Sequence, residues 1–482
     1  MQKNSTMTVR TRMAPSPTGE LHVGGMATLL KNYAWAKKHG GQFVLRIEDT
    51  DKEREVKGAI DKILRVIGDY GLAWDEGPEK GGPYGPYIQS ERLDLYRKHA
   101  EALVKAGKAY HCFCSKERLE KLREEQRTAH QPPKYDKHCR HLSVDEVARK
   151  LAAGEVSVIR LKVPANTQVV FQDLLRGEIR IASSEIDDQV LLKSDGYPTY
   201  HLGVVVDDHL MKITDVIRGE EWISSAPKHV LLYDAFGWEK PVFAHLPIFL
   251  NPDGKGKMSK RKGVVSARSF LDRGYLPEAM LNFLMILGWA KKDQQEVMSL
   301  DEYIQEFDPK AVSLKSAAFD LKKLNWLNGV YIRQLPLPAL KKRLQPFLPA
   351  DFPVDKLDAI LPLVVERLVT LAEIEALTSF FYRLPTMDAQ ALLQKADPQL
   401  VTDQLAQTVA GLEKLTAWTH QSVEKVIRSL QEEHQWHKGQ YFMMLRLAVT
   451  GKKATPPLFE TITVLGQQET TVRLKRASAA LG

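Results

Sequence analysis

The sequence predicts a multidomain α/β protein with a doubly wound parallel sheet in its first half and an all-helical region at its end. Three observations carry this. At 482 residues the chain is too long for one hydrophobic core. Near its start Met26, Leu29, Leu30 and Tyr33 recur at helical spacing up to His39-Gly40-Gly41, and Phe43, Leu45 and Ile47 then alternate as in a strand. After a proline-rich boundary at Leu335-Pro336-Leu337-Pro338 the pattern becomes helical throughout, as in Leu361, Val364, Leu368 and Leu371. Helix and strand in succession imply parallel strands, whose ligands bind beyond the carboxyl ends.

Composition narrows the class. A hydrophobic share of 44% with 27% charged residues is that of a soluble globular protein. The formal charge of +8 suits a polyanionic partner without requiring one. No apolar run approaches the roughly 20 residues of a bilayer span, and the first ten residues lack the apolar core of a signal peptide. Three cysteines are too few for a disulfide framework and point to a reduced, cytoplasmic setting.

Taken in order, the strand ending at Ile47 delivers Glu48-Asp49-Thr50-Asp51, of which Asp49 to Asp51 read as helix caps. Leu93, Tyr96, Ala100 and Leu103 mark a helix that Gly107 ends. Next come Cys112-Phe113-Cys114 and, further on, Cys139-Arg140-His141. Three thiolates and an imidazole would close a tetrahedral zinc site with no position open for water, hence a structural one. Unliganded buried cysteines are the alternative. Between the pairs, residues 117–127 form a charged helix with Leu119 and Leu122 inward. Residues 156–192 read as strands (Val156, Val158; Val169, Phe171; Ile179, Ile181). Residues 213–217 form another strand, closed by Arg218-Gly219-Glu220-Glu221-Trp222. Charge there lies either at a ligand-binding edge or on a solvated loop. Lys310 to Leu327, with Phe319, Leu321, Leu324 and Trp326, reads as a helical bridge.

Two stretches stand apart from this framework. Arg12-Met-Ala-Pro-Ser-Pro-Thr-Gly-Glu-Leu-His-Val-Gly-Gly25 is a proline-fixed loop running into a helix. Its glycines let backbone approach a ligand, and free N–H groups at the helix start suit an anion. His22 then either donates to phosphate or caps a tight turn. The second stretch, Lys257-Met258-Ser259-Lys260-Arg261, lies among Gly254, Gly256 and Gly263, which suit a loop that closes and reopens. By itself it is a basic surface turn.

Together these stretches resemble the paired nucleotide-binding signatures of class I aminoacyl-tRNA synthetases. Gly25 and Arg261, where that class has His and Ser, are the form found in bacterial-type glutamyl-tRNA synthetases. The resemblance implies a Rossmann-like catalytic domain (1–105 and 193–252), an inserted acceptor-end-binding domain with zinc (106–192), a stem-contact domain (253–334) and an all-α anticodon-binding domain (335–482). It implies ligation of L-glutamate to tRNA-Glu through a glutamyl-adenylate, with ATP and Mg2+, and exchange of pyrophosphate that needs tRNA. His22 and Lys260 would embrace the triphosphate from opposite sides. Thr18, Gly24, Gly25, Glu221, Lys257, Met258, Ser259 and Arg261 would complete the ATP site. Glutamate would meet Arg12, Ala14, Ser16, Glu48, Tyr200 and Arg218, with Glu48 on its ammonium. Two guanidinium forks suit a carboxylate and reject the carboxamide of glutamine. Val204 stands where some relatives have Asn, so that contact is absent. Cys112, Cys114, Cys139 and His141 would hold the zinc, and Arg367 would check the last anticodon base. A monomer is expected. Charging of tRNA-Gln as well, a glutaminyl enzyme, a truncated relative that modifies tRNA-Asp, and a non-catalytic zinc RNA-binding protein on the same scaffold are the competing readings.

Overall fold

The computed structural model describes residues 8–258 and 266–481. The chain forms two compact units: the residues up to Phe270 with Met280–Leu321, and Leu271–Ala279 with the residues from Lys322 onward.

The first unit is built on parallel strands. Strand β1 (Arg10–Met13) pairs in parallel with β2 (Gln42–Leu45), Arg10 opposite Gln42. Helix α1 (Val23–Lys38) connects them and buries Val23, Met26, Leu29, Leu30 and Ala34. These recur every three or four residues, as one helix face requires. The helix stops at His39, ahead of the left-handed Gly40. Helices α2 (Ala59–Asp69) and α3 (Leu93–Lys105) follow. Strand β8 (Asp215–Gly219) runs beside β1, where the amide of Thr214 donates to the carbonyl of Arg10 at 2.9 Å. It pairs in parallel with β9 (Val242–Leu246). Before and between these two strands lie α6 (Tyr200–Leu210) and α7 (Ala226–Phe236). The carboxyl ends of β1, β2 and β8 thus point Ala14, Glu48 and Glu221 toward one edge of the sheet.

The segment between the halves contributes β3 (Ala109–Cys112), β4 (Val158–Leu161) and β7 (Val190–Leu192), an antiparallel sheet, with α4 (Lys116–Thr128) and α5 (Val144–Ala152). Leu119 and Leu122 of α4 are only half-buried. Strands β5 (Gln168–Asp173) and β6 (Gly177–Ala182) form a hairpin. This hairpin, read from sequence as part of the insertion, joins the main sheet: Asp173 pairs with Phe243 and the order is β6-β5-β9-β8.

Three local expectations need correcting. Over 310–320 only the short 3-10 turn Pro309–Ala311 is helical, and residues 312–320 are not. The carbonyl of Ala317 accepts from the amide of Leu250 (2.9 Å) and that of Leu250 from the amide of Phe319 (3.2 Å), so the backbone is committed to pairing and the helix starts at Leu321. Asp49 caps no helix; it accepts from the amide of Ser90 at 2.8 Å. Val156 precedes β4 and is exposed.

In the second unit every regular element among the described residues is a helix, from Leu321–Gln334 to Gln467–Ala479. Leu361, Val364, Leu368 and Leu371 all enter its core, together with Val401, Leu405, Ile427 and Leu445. Pro398–Glu413 packs against both His420–Glu433 and Gln467–Ala479.

Candidate functional site

The first turn of α1 forms a wall shared by two cavities. His22 is the residue before the helix, and its Nδ1 accepts from the amide of Gly24 at 2.9 Å. That bond satisfies one of the donors left over at a helix start. It also places the ring proton of neutral His22 on Nε2, making that nitrogen a donor. Capping and ligand donation, the two sequence readings, are therefore compatible. Gly24 and Gly25 follow, with no Cβ between the turn and the cavities.

The larger cavity, about 400 Å³, is lined by His22, Gly24, Gly25, Glu221, Lys257 and Met258, and by Lys31, Phe249, Leu287 and Val312. Lys257 approaches Glu221 at 3.5 Å. Lys31 is the member that sequence reasoning missed. Its signal was a lysine set in the apolar stripe of α1. It is buried, its Nζ is 3.4 Å from the carbonyl of Leu284, and burial brings its ammonium down to a pKa of about 8. Thr18 lines neither cavity; it is exposed on the proline loop, its amide bonded to the carbonyl of Ser16. Ser259, Lys260 and Arg261 lie outside the described residues.

The smaller cavity, about 260 Å³, adjoins the first through Gly24, Gly25, Thr28, Gly219 and Glu221. Arg12, Ala14, Ser16, Glu48, Tyr200 and Arg218, all six residues expected around the amino acid, line it, and Trp222 joins them. Val204 is buried in the core. Tyr200 opens α6, packs tilted against Trp222 with ring centroids 4.4 Å apart, and its hydroxyl accepts from Arg218 Nη1 at 3.3 Å. Burial pushes its phenol up to about 12.

Beneath this cavity lies a charge network that no linear spacing announces. Asp208 accepts from Arg12 Nε at 3.2 Å and from Arg46 Nη1 at 2.7 Å. Arg46 Nη2 reaches Glu48 at 3.0 Å. Burial alone would raise the carboxyl of Asp208, but Arg12 and Arg46 outweigh it and hold it below its ordinary range. For Glu48 burial wins over Arg46, and its pKa is raised. Asp207, the neighbour, takes Arg92 at 2.8 Å, Gln89 at 2.9 Å and the Tyr96 hydroxyl at 2.7 Å. Arg12 thus reaches the pocket already paired through Nε, whereas Arg218 bonds no carboxylate among the described residues.

The thiols of Cys112, Cys114 and Cys139 come together, their sulfurs within 4.8 Å of one another. His141 does not join them; it is exposed at the end of the short turn His138–His141. The phenol of Tyr135 is there instead. Its oxygen is 3.2 Å from Cys112 Sγ and 3.4 Å from Cys114 Sγ, and it accepts from the amide of Cys139 at 3.0 Å. The turn explains the difference: Tyr135 and Cys139 lie four residues apart and both face inward. Hydrogen bonding from Cys139 holds the Cys112 thiol below its ordinary range despite burial. In the helical unit, Arg367 is exposed on the turn Val365–Arg367.

Residues 8–326 match the family described as tRNA synthetases class I (E and Q), catalytic domain, and residues 339–478 match an anticodon binding domain. The chain is 46% identical over 486 residues to a glutamate–tRNA ligase of Dehalococcoides mccartyi, covering 99% of this chain and 98% of that one. It is also 46% identical to the glutamate–tRNA ligase of Acidothermus cellulolyticus, with 98% and 96% covered. A crystal structure of a glutamate tRNA ligase from Elizabethkingia meningosepticum, in complex with its amino acid, superposes with a TM-score of 0.91 at 36% identity, covering 99% of this chain and all of that one. Two adjoining cavities on a parallel sheet, a helical unit after them and full-length likeness of this order lead to one conclusion: the chain belongs to the class I tRNA synthetases of the glutamate and glutamine type.

Proposed function

We infer that this chain is a glutamate–tRNA ligase, with tRNA and glutamate as its substrates and ATP as its energy source. The observation that carries the reading is the small cavity, where a guanidinium with no carboxylate partner among the described residues shares a wall with a cavity large enough for a nucleotide. In the first step the α-carboxylate of glutamate attacks the α-phosphorus of ATP, forming glutamyl-adenylate and releasing pyrophosphate. In the second, the terminal adenosine hydroxyl of the tRNA takes the glutamyl group and AMP leaves.

Such chemistry asks a protein chiefly for placement and for donors aimed at growing negative charge. His22 Nε2 and Lys260 would supply those donors, with Lys257, Met258 and the turn at Gly24 and Gly25 shaping the ATP site. Glu48 would hold the ammonium, Arg12 and Arg218 the carboxylates, and Tyr200 would steady Arg218. Glu221 is the one carboxylate lining the larger cavity among the described residues, so Mg2+ would travel chiefly on the triphosphate. Cys112, Cys114 and Cys139 suit a thiophilic ion, and the Tyr135 oxygen is the donor nearest to completing a tetrahedral zinc site. That zinc would be structural.

The finer reading is a tRNA-Glu-specific, cytoplasmic, monomeric enzyme with the four-part domain division given above, in which Arg367 inspects the anticodon. Glutamate-dependent pyrophosphate exchange, measured with and without tRNA, tests the activity: exchange that appears only with tRNA is expected, and exchange driven by glutamine instead overturns the amino-acid assignment. Charging separated tRNA-Glu and tRNA-Gln tests the tRNA specificity, and only the first should accept glutamate.

A further inference from the structure

Arg218 is held in an unusual way for a buried arginine. It is 5% exposed, yet among the described residues none of its hydrogen bonds goes to a carboxylate. Its Nε donates to His245 Nε2 at 3.0 Å, and its Nη1 lies 3.1 Å from His229 Nδ1. Its Nη2 is buried with no hydrogen-bond partner. A guanidinium only donates, so both imidazole nitrogens facing it must be lone pairs. The tautomers follow. His245 carries its proton on Nδ1 and donates it to Asp173 Oδ2 at 2.6 Å; His229 carries its proton on Nε2 and donates it to His201 Nδ1 at 3.1 Å.

We propose that His245 and His229 are positioning residues that aim Arg218 with neutral acceptors, keeping its charge uncancelled so that the pocket selects an acidic amino acid. This rests on the glutamate-ligase reading and adds what makes Arg218 selective. A carboxylate in either place would orient the guanidinium equally well and neutralise it, and the pocket would lose its preference for an anion over an amide. Asp173 serves one step removed: its charge fixes the tautomer of His245 from beyond bonding distance of Arg218's donors.

The surroundings keep the histidines neutral. Those facing Arg218 and the two rings are Tyr200, His201 and Asp208 of α6, Arg12 of β1, and Asp173 with Arg176 of the β5–β6 hairpin, while Lys228 of α7 acts on His201. Burial, then Arg218 itself, drives His229 far below its ordinary pKa. Burial lowers His245 too, against the pull of Asp173, and brings His201 to about 3. Burial raises Asp173, but the bond from His245 and the amides of Leu175 and Arg176 outweigh it, so Asp173 is the ionised end of the relay.

The test uses the full-length enzyme with tRNA and ATP. Gln at 245 and Asn at 229 each keep a neutral oxygen acceptor near the original nitrogen, whereas Glu and Asp supply a charge. His245→Gln and His229→Asn are expected to raise the KM for glutamate less than about tenfold and to keep glutamate preferred over glutamine. His245→Glu and His229→Asp are expected to raise it by about 100-fold, to compress the glutamate–glutamine preference by a similar factor, and to leave the KM for ATP within about threefold. Charged variants that keep both the glutamate KM and the preference overturn the proposal. So does a common rise in the KM for ATP and glutamate, the mark of general damage. If the charged variants do not fold, nitrogen NMR of the histidines in the unmodified enzyme decides. Neutral His245 protonated on Nδ1 and neutral His229 protonated on Nε2 at pH 7 are expected, and an imidazolium at either position overturns the relay. An unmodified enzyme inactive with glutamate would refute the function itself, a separate result from an active enzyme whose preference ignores these changes.

Discussion

Arg46 and Arg218 are both buried at the same edge of the parallel sheet, and the protein treats them in opposite ways. Arg46 is fully buried between Asp208 and Glu48, with Asp207 at 3.7 Å; burial works against its charge, and the three acids overwhelm that. Arg218 meets imidazole lone pairs and a phenol, and burial lowers its pKa. The first arrangement is closed: its charge is consumed in joining β2 to α6. The second is open, its charge compensated by nothing it bonds. The contrast teaches that the opposite charge at hand, and not burial alone, sets how much of a buried guanidinium's charge remains for a ligand.

The most severe way to break the comparison is to open the closed side. Asp208→Asn removes the shared partner of Arg12 and Arg46 and leaves two buried guanidiniums short of charge. A loss of about 3–5 kcal/mol in urea unfolding is expected, as for other broken buried pairs. A loss below about 1 kcal/mol would mean that the acids around Arg46 do not hold the fold.

Acid sharpens it next. His229 has a folded-state pKa below its unfolded value near 6.5. As pH falls beneath about 6.5, the unfolded chain takes up a proton that the folded chain refuses. Stability from this residue is therefore full above that pH and declines below it, by up to about 1.4 kcal/mol per pH unit. Denaturation curves from pH 7 to 5.5 should show the slope, and His229→Asn should lessen it.

Tyr200→Phe tests the open side more gently. It deletes one hydroxyl acceptor at 3.3 Å from Arg218 and keeps the ring on Trp222. A cost of about 1 kcal/mol in glutamate binding, roughly a fivefold rise in KM, is expected without a change in the KM for ATP.

The smallest effect lies at the thiols, where Tyr135 is buried beside the sulfurs and His141 is exposed. His141→Ala should leave zinc content by elemental analysis unchanged, while Tyr135→Phe should speed zinc loss to a chelator. The reverse ranking would restore the histidine to the site.

Much of this molecule was legible in one dimension. The loop from Arg12 to Gly25, the segment from the end of β2 to Glu48 and the turn after Arg218 each stand within a few residues of a strand end, so strand direction brings them to one edge of the sheet, while their assignment to one site came from the family resemblance. The helix of Met26 and Leu29 and the helical unit were legible directly, because helical periodicity is written by neighbours. At the thiols a two-residue spacing looks like a ligand pair, yet the turn at His138 faces His141 outward and brings Tyr135 in.

By itself, then, the sequence determined which chemical groups stand at the carboxyl edge of the sheet and in what order they arrive, since those depend on contiguous residues. Only the tertiary structure decided what surrounds them. Asp173 comes from a hairpin, His229 from a helix and His245 from the next strand, and their convergence on Arg218 is set by sheet order β6-β5-β9-β8. Electrostatics acts through space and dielectric, and the value of a charge is fixed by neighbours that strand pairing, not chain order, supplies.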